Sequence, residues 1–220
     1  MYNKIYIIMK KAFTLAEVLI TLGIIGVIAS TILNIMINNY RKTHTVNRLK
    51  ETYNKLSQAF NLAIIEHDAP SNWMYDDSNL DLFVEKYLAP YLKIIAKSSV
   101  APDHYYASGN KIGFIYQRRT HYYLANGVEL TIFPYADTHY LMIIDLNGTK
   151  GPNKMGIDCF LLQFSKNITA VSVSKLFTMN GIFSGLSRIK LNCNKNSEGT
   201  HCGAWIMLEG WKIPEGYPFF

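Results

Sequence analysis

Val18 to Ile37 is a run of 20 residues without a charge. As a helix rising 1.5 Å per residue it would span about 30 Å, the thickness of a bilayer's hydrocarbon core. From Asn38 to Ile65 the chain turns polar, yet contains neither Pro nor Gly. Within that stretch Leu49, Tyr53, Leu56, Phe60 and Ile64 recur at spacings of three and four, the stripe of an amphipathic helix. Glu51 and Lys55 form a favourable i,i+4 pair outside the stripe. The pattern predicts one continuous helix from Phe13 to Glu66, 54 residues and about 81 Å if straight. His67-Asp-Ala-Pro70 ends it, with Pro70 as the stop. A rod of this length whose mainly apolar first half has no partner in its own domain must bury that half elsewhere, in lipid or in neighbouring subunits.

Beyond the rod the periodicity changes. Leu80 to Lys97 reads as a short helical pair broken at Pro90. Strand-like runs follow at Lys111–Arg119, His121–Ala125, Val128–Phe133, Tyr140–Asp145 and Cys159–Ser165. Asn126-Gly127 between the second and third is a two-residue hairpin signal. Residues 204–211, AWIMLEGW, read as a short helix or a last strand. The expected fold class is α+β: a long N-terminal helix whose amphipathic half packs on a four- or five-stranded antiparallel sheet.

Composition changes this picture little. Hydrophobic residues make up 49% and charged ones 17%, which suits a globular domain plus one apolar segment and argues against disorder. The formal charge of +6 looks favourable for nucleic acid. It shrinks if Lys4, Lys10 and Lys11 are removed, leaving 19 basic residues against 16 acidic ones. Nucleic acid is therefore not an expected partner. Arg118-Arg119 beside His121-Tyr122-Tyr123 places bases next to rings, as a stacking surface would, but an ordinary strand rich in β-formers looks the same.

Glu17 is the informative residue of the apolar segment. A carboxylate one turn into a membrane-grade helix is costly, and a plain anchor or secretory signal has no use for it. The residues Lys10-Lys11-Ala12-Phe13-Thr-Leu-Ala-Glu17, with the apolar run behind them, resemble the processing site of type IV prepilins and type II secretion pseudopilins. The stretch LKETYNKLSQAFNLAI also resembles the second half of the long pilin helix. The resemblance implies cleavage by a prepilin peptidase between Ala12 and Phe13, and N-methylation of Phe13. Glu17, the fifth mature residue, would then meet a free amine during filament assembly. Two departures stand out: Ala12 replaces the usual Gly before the cut, and Asn34 occupies a position where the family often has Pro. The start is open between Met1 and Met9; the latter gives the leader MKKA.

The resemblance divides the chain into a leader (1–12), a transmembrane and assembly half-helix (13–37), an amphipathic half-helix (38–66) and a globular head (67–220). It implies a single-pass inner-membrane precursor with an extracytoplasmic head. The implied partners are other pilin or pseudopilin subunits, the prepilin peptidase and the assembly platform. Pilus, pseudopilus and competence system are not distinguished. Two other readings remain: a binding or hydrolytic domain on a plain tether, and a minor tip pilin that binds DNA or a surface ligand.

An extracytoplasmic head permits disulfides. Cys193 and Cys202 flank an eight-residue polar loop, and joining them would contribute roughly 2–3 kcal/mol by the loop-entropy model. Cys159, in an apolar run, reads as a free core thiol. A zinc site combining His201 with these cysteines lacks the usual short paired spacings. Between two strands, Asp145, Asn147, Asn153 and Asp158 could offer oxygens to Ca²⁺. The EF-hand pattern is not met, and a connection shaped by turn chemistry explains the same residues. No nucleophile elbow, P-loop or paired-carboxylate motif is present. No catalytic residue, and no cofactor other than that weak calcium candidate, is expected.

Overall fold

The computed structural model describes residues 13–76, 78–100, 102–113, 119–135, 139–165, 177–178 and 186–220. They fall into two units, one ending at Arg41 and the other comprising Lys42–Phe220. Helix α1 runs from Leu15 to His67. In the first unit every described residue is exposed to solvent within the chain. Among the described residues, one helix, α1, is thus long and apolar enough to cross a membrane: its 18-residue apolar window has a mean hydropathy of 2.3 and is 0% buried.

The second unit is an α+β domain. From Val46 onward α1 buries Leu49, Thr52, Leu56, Ala59, Phe60 and Ala63, with Tyr53 and Ile64 packed at the margin. The expected stripe is therefore the contact face. Glu51 and Lys55 pair at 2.6 Å on the exposed side. The helix stops where Asp68 turns left-handed (φ 68°), two residues before Pro70.

A short 3-10 turn (Pro70–Asn72) and helix α2 (Leu80–Tyr87) come next. Six strands follow in chain order: β1 Ile94–Ser98, β2 His121–Leu124, β3 Glu129–Tyr135, β4 His139–Asp145, β5 Cys159–Ser165 and β6 Phe177–Thr178. Each pairs antiparallel with the next, a simple meander. Helices α3 (Leu186–Leu191) and α4 (Cys202–Leu208) complete the domain.

Alternation along the strands gives the sheet two unlike faces. Tyr122, Leu124, Leu130, Ile132, Tyr140, Met142, Ile144, Phe160, Leu162 and Phe164 face the α1 side and form the main core. Phe60 of α1 meets Phe164 at 4.8 Å between ring centroids, and Tyr140 stacks on Phe164 at 5.0 Å. On the other face, Leu141, Ile143, Cys159 and Leu161 join Ile112 and Met155 in a smaller apolar cluster.

Three expectations need correction, and a fourth lies largely outside the described residues. The helical pair over 80–97 is one helix only, because beyond Pro90 the chain extends: Ile94–Ser98 has a β-branched start and pairs with β2 as an edge strand. The expected strand 111–119 has its centre, residues 114–118, outside the described residues; of its described part, Lys111 forms an isolated bridge to Tyr105. The hairpin turn has three residues rather than two. Gly127 donates its N–H to Leu124 O (2.8 Å) and is the turn's one left-handed residue (φ 80°), so Asn126 is spared the positive φ of a two-residue turn. Arg48 of α1 donates to Asn126 O at 2.6 Å and ties that turn to the helix. Finally, β1 and the two-residue β6 bring the sheet to six strands among the described residues. Of the two readings for residues 204–211, the helix holds, as α4.

Candidate functional site

Ala12 lies outside the described residues. Phe13 is 85% exposed. Just behind it Thr14 and Glu17 close on each other. Glu17 Oε2 accepts from the Thr14 N–H (2.8 Å) and hydroxyl (2.9 Å), and the Glu17 N–H donates to Thr14 Oγ1 (3.2 Å). This is a reciprocal capping box, T-x-x-E, which satisfies N–H groups that a helix start leaves open. Glu17 therefore has a local structural role that its cost in an apolar segment had obscured. Further along, Thr21, Ser30, Thr31 and Asn34 each donate to a carbonyl three or four residues back. Each thus places a side-chain donor on the helix's own backbone, an internal partner that a polar residue in an apolar helix can use. Asn34 does this without interrupting α1.

In the head, the loop between β4 and β5 gathers Asp145, Asn147, Asn153 and Asp158. Asp158 accepts from the backbone N–H groups of Lys154 (2.7 Å) and Asn153 (2.9 Å) and from Asn147 Nδ2 (3.2 Å). Asp145 Oδ1 accepts from the Asn147 N–H at 2.9 Å. The four residues come together, and both carboxylates are engaged by protein donors. Burial pushes the Asp158 carboxyl above the usual range, against the pull of the backbone donors.

The C-terminal tail closes over this loop. Cys193 and Cys202 form the expected disulfide. Tyr217 Oη donates to Gly156 O at 2.7 Å. Gly156 itself is left-handed (φ 84°) and sits under the Phe219 ring. Cys159 is free and buried, as expected. His201 lies against Thr200 (3.0 Å), and burial lowers its pKa, helped by Arg188.

The sheet face away from α1 carries a polar cluster that sequence reasoning missed. Register places Glu129 opposite Asp145 and Asp145 opposite Cys159, a row across β3, β4 and β5; His121 and Thr131 pair in the adjoining row. His104, from the loop before residue 113, covers them. Its Nε2 lies 3.2 Å from Asp145 Oδ2 and 3.9 Å from Glu129 Oε1. Cys159 Sγ donates to the same Asp145 Oδ2 at 3.2 Å. His121 Nδ1 is 2.8 Å from Glu129 Oε1 and 2.6 Å from Thr131 Oγ1. His104, His121, Glu129, Asp145 and Cys159 are all at most 1% exposed. Burial works against a charged His104, but Asp145, Glu129 and the Pro102 carbonyl outweigh it, so the ring is held above the usual histidine value. The same burial, reinforced by Asp145, pushes the Cys159 thiol up. The available signal was a polar residue inside an apolar strand run, at His121, Glu129 and Asp145; only the strand register reveals that they converge.

His121 and Tyr122 are buried in the sheet, Tyr122 bonding Asp81 through its hydroxyl. Neither ring is available for stacking on a base. Arg118 lies outside the described residues.

The chain belongs to a family of unknown function, DUF6613, whose sequence profile matches residues 35–220. That match takes in the head and the later part of α1; residues 10–34 precede it. No curated protein and no solved structure matches the chain.

Proposed function

We propose that the chain is a structural subunit, a pilin or pseudopilin, of a type IV pilus or type II secretion pseudopilus. The observation that carries this reading is the division of α1. From Val46 onward the helix is a core element of the head, while Phe13 to Arg41 exposes its apolar residues all round and opens on Phe13-Thr-Leu-Ala-Glu17. A single anchor explains the apolar run; a helix shared between a head and a separate apolar environment suits a subunit that moves from lipid into a packed filament. On this reading the precursor is a single-pass inner-membrane protein with its head outside the cytoplasm. The prepilin peptidase cuts before Phe13, and the subunit then enters a filament through the assembly platform. Its role is structural rather than catalytic.

The first test is mass spectrometry of the N terminus in native membranes. An N-methylated Phe13 is expected; an intact leader or a cut near Ala29 would overturn the proposal. The capping box favours a second reading, a plain tether, because it gives Glu17 a use that needs no partner subunit. Two variants separate the readings. Glu17→Gln keeps an acceptor for Thr14 but removes the charge, whereas Thr14→Ala keeps the charge and removes the cap. Pairing with a neighbour's Phe13 amine predicts that Glu17→Gln inserts normally and fails to assemble, while Thr14→Ala assembles. Wild-type filaments from Glu17→Gln would refute charge pairing.

A further inference from the structure

The buried row on the outer sheet face has the composition of a metal site. We propose that His104 Nε2, Asp145 Oδ2 and Cys159 Sγ, closed by Glu129 Oε1, hold one structural Zn²⁺ ion. The three inner ligand atoms lie within 4.8 Å of one another, with His104 and Cys159 each 3.2 Å from the same Asp145 oxygen. Zinc bonds of about 2.0–2.3 Å place tetrahedral ligands roughly 3.3–3.8 Å apart; the two 3.2 Å pairs and the 3.9 Å from His104 Nε2 to Glu129 Oε1 are close to that spacing, and a separation as wide as 4.8 Å would close by about an ångström on binding.

The surroundings are those of ligands already oriented for a cation. His104 Nδ1 lies 2.9 Å from Pro102 O, a pure acceptor, and must carry a hydrogen there. Its Nε2 is thereby aimed at a carboxylate, also an acceptor, so either a proton or a metal ion stands between them. Glu129 is held by His121 Nδ1, and Asp145 by the Asn147 N–H. Each of these three ligands thus has an outer partner fixing its orientation, the usual support of a zinc shell. Three of the four sit on paired strands at fixed register: Glu129 begins β3, Asp145 ends β4 and Cys159 begins β5. The thiol and imidazole select a zinc-class ion over Ca²⁺ or Mg²⁺, which prefer all-oxygen shells. Four protein ligands and full burial leave no position for substrate, so the site is structural. On binding, Zn²⁺ replaces the Cys159 S–H proton and the His104 Nε2 proton; both leave to solvent, and the thiolate sulfur and imidazole nitrogen bond the metal. The inference is independent of the pilin reading.

The test uses the untagged full chain in detergent micelles, loaded with Zn²⁺, desalted and analysed for metal by mass spectrometry. About one ion per chain is expected, with a thiolate-to-metal charge-transfer band after Co²⁺ substitution. Saturation at a hundredfold excess over Kd should raise Tm by about 5–10 °C, reversibly with chelator. Cys159→Ser should abolish the band, and both it and His104→Gln should weaken binding at least tenfold. Folded wild-type protein that retains no zinc and shows no Tm shift would overturn the proposal, whatever the variants do. So would a folded Cys159→Ser protein with wild-type affinity, which would place any bound zinc elsewhere.

Discussion

Replacing Asp158 by alanine tests whether the β4–β5 loop is held by its own hydrogen bonds or by calcium. The carboxylate accepts from two backbone N–H groups, at 2.7 and 2.9 Å, and from the Asn147 amide at 3.2 Å. Asp158 is only 6% exposed, so the donors it leaves behind are poorly placed to find water. Hydrogen bonds to a charged acceptor contribute roughly 1.5–3 kcal/mol each, and their loss is not additive across one carboxylate. Burial opposes the ionised form and offsets part of that gain. A net loss of about 2–4 kcal/mol is expected, or roughly 4–16 °C in Tm for a domain of this size. The assay is thermal unfolding of the full chain in micelles, wild type and variant, with chelator and with millimolar Ca²⁺. If the loop is self-sufficient, wild type melts at the same temperature in both conditions and the variant melts lower in both. A variant within 2 °C of wild type in chelator would refute the hydrogen-bond account. A calcium-dependent rise in wild type that the variant lacks would restore Asp145, Asn147, Asn153 and Asp158 as a cation site.

Three further outcomes follow from the packing. Phe60→Ala removes the α1 ring that meets Phe164 and Trp73; a loss of about 3–5 kcal/mol is expected by denaturant unfolding, and a neutral result would mean that α1 is not part of the head's core. Gly156→Ala would set a Cβ 2.6 Å from the Phe219 ring and 2.8 Å from Cys202 Sγ at a left-handed φ of 84°, so a cost of about 1–3 kcal/mol is expected; a Tm equal to wild type would show that the tail does not lie on this loop. Burial raises the phenols of Tyr75, Tyr122 and Tyr217 above the ordinary tyrosine value. The unfolded chain therefore loses those protons first, and stability present below about pH 10 should fall as pH rises beyond it. Tyrosinate absorbance should appear together with alkaline unfolding, and its appearance in folded protein near pH 10 for all tyrosines would contradict their burial.

The parts of the fold legible in the sequence were those governed by a single local period. The α1 stripe, the stop near Pro70 and the strands around 121–133, 140–145 and 159–165 follow from spacing alone. The misreadings arose where tertiary pairing overrides local preference. Ile94–Ser98 is short and follows the helical run of α2, and becomes a strand because β2 offers it an edge. The Asn126-Gly127 pair suits two turn types, and the choice between them rests on Gly127 alone taking a positive φ, beside the Arg48 contact to Asn126 O.

The sites divide along the same line. Thr14 and Glu17 lie three residues apart, so their capping box is local in the sequence; its signal, a carboxylate at a helix start, is masked by the apolar run in which that carboxylate is costly. The Cys193–Cys202 bridge was legible because few residues separate its ends. The cluster of His104, His121, Glu129, Asp145 and Cys159 was not, since no two of its members are closer than eight positions in the chain, and it exists only once four strands are in register. A one-residue slip of any of these strands would turn its member to the α1 side, into an apolar core with no partner for a buried charge. The polar row therefore disfavours the wrong registers as well as completing the right one. Whatever fills the space beside Asp145 Oδ2, proton or metal, contributes to fixing the sheet on which the second half of α1 is packed.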